Sequence, residues 1–194
     1  MAEANTLNDD GSGLKEQVYV DDRSPEYFKQ FHDRARNRKP TVIYEAVRIV
    51  TSLIGWLIYR GRSISPEVVP DGPVILAPNH FSNLDHFFAG MALRRHVRFM
   101  AKSQLFGKQP MTWIYAQGGV FPVMRGVRDA EVFTTAETIL GNGGCVLMYC
   151  EGGRSRTGSI GTKAKPGIGR LALTMGVPIV PIAIYGSSRV RHWR

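Results

Sequence analysis

A histidine and an aspartate five residues apart stand in the segment Asn79-His80-Phe81-Ser82-Asn83-Leu84-Asp85, directly after an apolar run. A carboxylate on one ring nitrogen fixes the imidazole tautomer and leaves the other nitrogen free to accept a proton. His80 and Asp85 are therefore candidates for a general base and its orienting partner, acting on a hydroxyl or a thiol. The spacing alone says little. With 5 His and 8 Asp among 194 residues, an H-x4-D pair arises by chance in about one such chain in five. His86 falls inside the helical pattern that follows and reads as structural.

Three further clusters lie downstream. Gly118-Gly119-Val120-Phe121-Pro122-Val123-Met124-Arg125-Gly126 brings an arginine out at the tip of a strand. Its planar fork of donors matches phosphate oxygens. Cys150-Glu151-Gly152-Gly153-Arg154-Ser155-Arg156-Thr157-Gly158 again follows a strand. Its glycines let backbone approach a ligand, while Arg154, Ser155 and Arg156 supply donors. Each cluster alone could be a surface turn. Neither fits the phosphate-binding patterns GxxxxGK[ST] or GxGxxG. In Val177-Pro178-Ile179-Val180-Pro181-Ile182-Ala183-Ile184, two prolines three apart cannot donate to a ladder, so an irregular or edge strand is expected, walling an apolar groove.

The elements that must position these residues follow from periodicity. Strands are expected at 74–79, 97–101, 119–123, 145–149 and 179–185, and helices at 84–93, 110–117, 129–140 and 167–175. The alternation predicts an α/β fold with a mixed, mostly parallel sheet flanked by helices. The first strand then delivers His80 to the carboxyl edge of the sheet, where such folds keep their sites. Ahead of this lie a mobile tail over 1–22 and N-terminal helices over 23–62; residues 63–194 form the catalytic domain. Ser24-Pro25-Glu26 is a helix start, opening a polar helix to about Arg38. Residues 41–59 are apolar apart from Glu45, Arg48 and a few hydroxyls, with Trp56 and Tyr59 near the end and Arg60 and Arg62 behind. This segment reads as a membrane-associating interfacial helix; a buried helix packed on the domain and a true span are the alternatives.

The net charge is +9, unevenly placed: residues 1–39 carry 7 basic against 8 acidic side chains, and residues 40–194 carry 18 against 8. A basic body suits nucleic acid, anionic lipid or a phosphorylated substrate. Dispersed basic residues without a stacking-aromatic motif or zinc module argue against nucleic acid. Cys145 and Cys150 match neither a redox CxxC nor a zinc knuckle and read as reduced thiols near a buried strand. No metal cluster is visible, and the polar, acidic N-terminus is unlike a secretory signal.

In this order and spacing the four segments resemble the glycerolipid acyltransferase family of the lysophosphatidic acid acyltransferase (PlsC) type. His80 and Asp85 match its NHxxxxD motif and Arg125 in GVFPVMR its second motif. Glu151, Gly152, Arg154 and Ser155 match the third, usually FPEGTRS, and VPIVPIAI the fourth. Lys102 in AKSQLFGKQP matches a lysine carried between the first two. Cys150, Gly153 and Gln104 depart from the usual proline, threonine and glutamate.

The resemblance implies transfer of an acyl group from acyl-CoA or acyl-carrier protein to the hydroxyl of a lysophosphatidate-like glycerol phosphate, with no further cofactor. A remodelling acyltransferase or transacylase acting on another lysolipid or alcohol is the alternative. His80 would take the hydroxyl proton and return it to the departing thiolate. Lys102 or backbone N–H groups near Gly152 would face the oxyanion, and Arg125 and Arg154 would hold phosphate. Glu151 would orient an arginine or a substrate hydroxyl. The expected place is the cytoplasmic side of a membrane, peripheral or monotopic, on anionic lipid. A non-catalytic membrane module is the rival from another class, and the intact His80 and Asp85 argue against it.

Overall fold

The apolar run before His80 forms the centre of the molecule. The computed structural model describes residues 21–91, 93–124, 129–155, 159–161 and 164–190. The expected tail, save its last two residues, lies outside these, as do Arg125 and Arg156. Strand β1 (Val74–Pro78) is buried along its whole length, as a strand covered on both faces must be. It is flanked by β4 (Cys145–Leu147) and β5 (Ile179–Ile182), and β2 (Val97–Lys102) and β3 (Phe121–Val123) complete the order β3-β2-β4-β1-β5. The four described pairings are all parallel. As the two prolines require, β5 is an edge strand; Ile75 N–H bonds to the Pro178 carbonyl at 3.0 Å.

Alternate residues of β1 serve two cores. Val74 and Leu76 meet Val97, Cys145, Leu147 and Ala89 on the face covered by α3 (Asp85–Met91). Ile75 and Ala77 meet Val132, Ala136, Ile139, Ile168 and Leu171 on the opposite face. That face is covered by α5 (Ala130–Gly141) and α6 (Gly167–Met175). Helix α6 ends at Gly176 in the left-handed conformation, φ 62°, with the Val177 N–H returning to the Ala172 carbonyl.

The N-terminal helix α1 (Pro25–Asn37) starts where Ser24-Pro25 predicts, although the Ser24 hydroxyl makes no cap bond. It is not polar all round. Phe28, Phe31, His32 and Ala35 form a buried stripe at helical spacing, against Phe106 of a third cluster and against α5. The dock includes polar groups: Arg36 Nε donates to Thr135 Oγ1 at 3.0 Å and its guanidinium pairs with Glu131. His32 Nδ1 lies 2.8 Å from the same Thr135 oxygen. That oxygen accepts from Arg36 and keeps a second lone pair and its own hydrogen, so it can meet Nδ1 of a neutral His32 as donor or as acceptor. Burial accordingly lowers the His32 pKa, against the opposing charges of Asp129 and Glu131.

Helix α2 (Val42–Leu57) is N-capped by the Thr41 hydroxyl, which accepts from the Ile43 N–H at 3.3 Å. Its inward side is narrow: Tyr44 and Gly55 are buried. The Tyr44 oxygen accepts the Val97 N–H at 3.0 Å, satisfying the first donor of β2. Glu45 and Arg48, expected on one face, pair at 2.6 Å. Among the described residues no helix is long and apolar enough to cross a membrane.

Helix α4 (Met111–Gln117) leads into β3, which begins two residues later than the sequence suggests. Gly118-Gly119 is used as a turn: Val120 N–H bonds to the Tyr115 carbonyl, and Gly119 has φ 70°. A Cβ on Gly119 would stand 1.8 Å from Nη1 of Arg98. That guanidinium is buried and donates to the Arg38 carbonyl at 2.7 Å.

Two outcomes follow for stability. Gly119→Ala should cost about 2–4 kcal/mol, because strain at positive φ adds to a clash with a buried side chain. Gly143→Ala, at φ 75° with open space around it, should cost only about 1–2 kcal/mol. Denaturant midpoints check this, and equal costs at the two sites would remove the role of the Arg98 contact. For His32, the folded value lies below the ordinary 6.5. Its contribution is therefore complete above pH 6.5 and is lost as pH falls through the folded value. His32→Asn, which keeps an acceptor but cannot be charged, should flatten the stability–pH slope there by up to one proton. An unchanged slope would show that His32 is not the titrating group.

Candidate active site

All five strands run the same way, so their carboxyl ends share one edge. His80 follows β1, Lys102 closes β2, Met124 follows β3, and Tyr149 to Ser155 follow β4. Arg125, the residue after Met124, lies outside the described residues. The other expected site residues belong to this edge.

The loop after β1 is organised by one carboxylate. Asp85 is the first residue of α3 and is fully buried. Its Oδ2 accepts from His80 Nδ1 at 2.8 Å, from the Phe81 N–H at 2.6 Å and from the Ser82 N–H at 2.7 Å. Burial alone pushes the Asp85 pKa up, but the hydrogen bonds from His80, Ser82 and Phe81, helped by the nearby Ser187 hydroxyl, outweigh it and hold the carboxyl below its usual value of 3.8. An ionised acceptor at Nδ1 puts the ring proton there, and Nε2 is left as a lone-pair nitrogen with no partner among the described residues. The side chain of His80 is 12% exposed, so the ring as a whole is largely but not wholly screened from water.

Two neighbours fix the ring further. The Tyr149 ring lies flat on the imidazole, centroids 3.8 Å apart and planes 15° from parallel. Its hydroxyl is buried without a partner among the described residues. Burial first, then the Asp85 charge, push the phenol pKa up, so Tyr149 stays neutral. The His80 carbonyl accepts the Ser155 N–H at 2.7 Å, tying the Gly-rich loop to the histidine backbone. His86, inside α3 beside Phe87 and Phe99, has its pKa lowered to about 4 by burial and then by His80. It is neutral and structural, as its place in the helix suggests.

The Gly-rich loop differs in detail from the sequence reading. The Gly152 N–H is committed to the Tyr149 carbonyl at 3.0 Å, so it does not face an oxyanion. With φ 69° and the Lys165 chain 3.1 Å from where a Cβ would stand, Gly152 is needed for the turn. Glu151 Oε2 accepts the Gly161 N–H at 3.1 Å, and Oε1 is buried with no partner among the described residues. The carboxylate thus closes its own loop and meets no described arginine. Ser155 is buried, its hydroxyl donating to the Ser159 carbonyl at 2.6 Å; it holds the loop, where the sequence suggested a ligand donor. Arg154 is exposed and makes no ion pair with a described residue. Lys102 is half-buried, level with Val123 of β3. Both cysteines are free thiols, and burial pushes Cys145 up to about 12.

Sequence reasoning missed three residues here. Tyr149 reads as the end of an apolar strand; a polar-tipped aromatic just before Cys-Glu-Gly was its signal. Asn79, next to His80, grips residue 184 at both ends: Nδ2 donates to the Ile184 carbonyl at 3.0 Å and Oδ1 accepts the Ile184 N–H at 2.7 Å. Ser187, beyond the paired-proline strand, is buried and faces Asp85.

Known proteins resemble this chain in sequence and in fold. A protein of Mycoplasma genitalium named as a probable 1-acyl-sn-glycerol-3-phosphate acyltransferase is 27% identical over 168 residues, 82% of this chain and 62% of that one. A chloroplastic 1-acyl-sn-glycerol-3-phosphate acyltransferase of Brassica napus is 29% identical over 122 residues, 62% of this chain and 35% of that one. The chain thus spans less than two thirds of the length of these curated relatives. The crystal structure of the 1-acyl-sn-glycerophosphate acyltransferase PlsC from Thermotoga maritima aligns with a TM-score of 0.62 at 22% identity, covering 87% of this chain and 71% of that one. It shows the same α/β fold. The model of the Acyltransferase family matches residues 58–185. With β1 to β5 and the His80–Asp85 loop all inside that match, the chain belongs to the Acyltransferase family.

Proposed function

We propose that the chain is an O-acyltransferase that moves a fatty acyl group from acyl-CoA or acyl-carrier protein to the free hydroxyl of a lysophosphatidate-like glycerol phosphate, giving phosphatidate. One observation carries this reading: an imidazole locked through Nδ1 to a buried carboxylate at the carboxyl edge of the sheet, with Nε2 unpartnered among the described residues. The names of the relatives, which act on 1-acyl-sn-glycerol 3-phosphate, support the acceptor.

Nε2 removes the hydroxyl proton as the oxygen bonds to the thioester carbonyl carbon. Collapse of the tetrahedral species breaks the C–S bond, and the imidazolium gives its proton to the departing sulfur. The products are an ester and a free thiol, with no enzyme-bound acyl group. Asp85 stabilises the transient imidazolium and holds its orientation. Arg154, exposed and without a described anion partner, and Arg125 are assigned to the acceptor phosphate, and Lys102 to the developing oxyanion.

Helix α2 supplies the membrane contact in this reading. Val42, Ile49, Val50, Leu53, Ile54, Trp56, Leu57 and Ile58 are all exposed. Beside them an open groove is lined by Arg48, Leu53, Trp56, Arg62 and Met91. Apolar side chains bordered by arginines suit a helix lying in an anionic lipid surface, on the cytoplasmic side.

The test is a panel of acceptors in detergent micelles: lysophosphatidate, glycerol 3-phosphate and lysophosphatidylcholine, each with acyl-CoA and with acyl-carrier protein. Thiol release should depend on lysophosphatidate. His80→Ala should lower turnover roughly 100- to 10,000-fold and still bind vesicles containing anionic lipid. Release that ignores every acceptor would overturn the proposal, and preference for lysophosphatidylcholine would favour a remodelling role instead.

A further inference from the structure

The mechanism uses only half of the Asp85 carboxylate. Oδ2 takes three donors, whereas Oδ1 is buried with no hydrogen bond to a described residue. A carboxylate held through one oxygen can pivot about it. The Ser187 hydroxyl is the other half of the problem: the residue is 3% exposed, and its oxygen too closes no hydrogen bond among the described residues. Leaving both groups unsatisfied is costly, which favours a contact between them.

The backbone is built to bring them together. Asn79 clamps residue 184 at both its N–H and its carbonyl, so the chain leaving β5 is fastened one residue from His80. Gly186, at φ 84°, then turns the chain, and Ser187 opens a short helical turn over Ser187–Val190. We propose that Ser187 is a positioning residue for the His80–Asp85 pair, its hydroxyl held over Oδ1 of Asp85 by the Asn79 clamp. This rests on the acyl-transfer reading above. Ser187 also contributes to holding the Asp85 carboxyl below its usual pKa, behind burial and the His80 bond. The other titratable groups at this carboxylate are His80, His86 of α3 and Tyr149 after β4. Ser187 supplies the polar contact from the β5 side.

Ser187 touches no reacting atom, so its loss should appear in kcat and spare KM. Without the hydroxyl the carboxylate carries more undamped charge, and the imidazolium beside it is favoured. Steady-state kinetics with lysophosphatidate and acyl-CoA across pH, on wild type, Ser187→Ala and Ser187→Thr, test this. Ser187→Ala should lower kcat about tenfold, with both KM values within about twofold, and move the acid limb of kcat/KM to higher pH. Ser187→Thr, which keeps the hydroxyl, should recover kcat to within about threefold of wild type. Wild-type kcat and an unmoved acid limb in Ser187→Ala would overturn the assignment. So would a kcat loss with an unmoved limb, which marks a merely structural role. If wild type itself transfers no acyl group, the acyl-transfer reading has failed; if wild type is active and Ser187→Ala matches it, only this assignment has.

Discussion

A fully buried carboxylate bonded to His80 Nδ1 and to two successive backbone N–H groups is the constraint on which the site depends. Removing an ion of this kind from water is expensive unless its lone pairs are used. The donors that pay for it are the chain from His80 to Ser82, so the loop cannot leave this conformation without exposing or stranding the charge. Fixing Asp85 therefore fixes the backbone of the loop, the tautomer of His80 and the direction of Nε2 together.

The rest of the fold serves that loop from three sides. Strand β1, buried along its length between β4 and β5, carries it to the sheet edge. The segment after β4 lays Tyr149 on the ring and binds the His80 carbonyl through Ser155. The segment after β5 is fastened by Asn79 and carries Ser187 to the carboxylate. Each contact joins the histidine loop to the end of another strand. The N-terminal helices add a second layer: α1 docks on α5 and β3, and α2 keeps most of its apolar side chains facing outward.

Much of this was legible in residue order. The apolar runs and glycine breaks identify the five strands, the two prolines place β5 at the edge, and His80 and Asp85 lie close enough in sequence for their contact to be read. Other features depend on distant partners. Nothing local to Asn79 says that its amide will meet a residue 105 positions away, and Ser187 gains meaning only once β5 lies beside β1. The turn's own use of the loop polar residues depends likewise on the folded backbone. Gly152 and Ser155 have the donors a ligand would want, but the turn uses them first. The stripe on α1 was hidden because five charged residues, Glu26, Lys29, Asp33, Arg34 and Arg36, outnumber the four that face inward.

His80 and Asp85 act as one unit in this mechanism. A double-mutant cycle of His80→Ala, Asp85→Ala and the pair, measured as kcat/KM for lysophosphatidate-dependent thiol release, tests it most directly. Each single substitution should remove most of the activity, and the double variant should be no worse than His80→Ala. Losses that multiply, or an Asp85→Ala variant with near wild-type turnover, would contradict it.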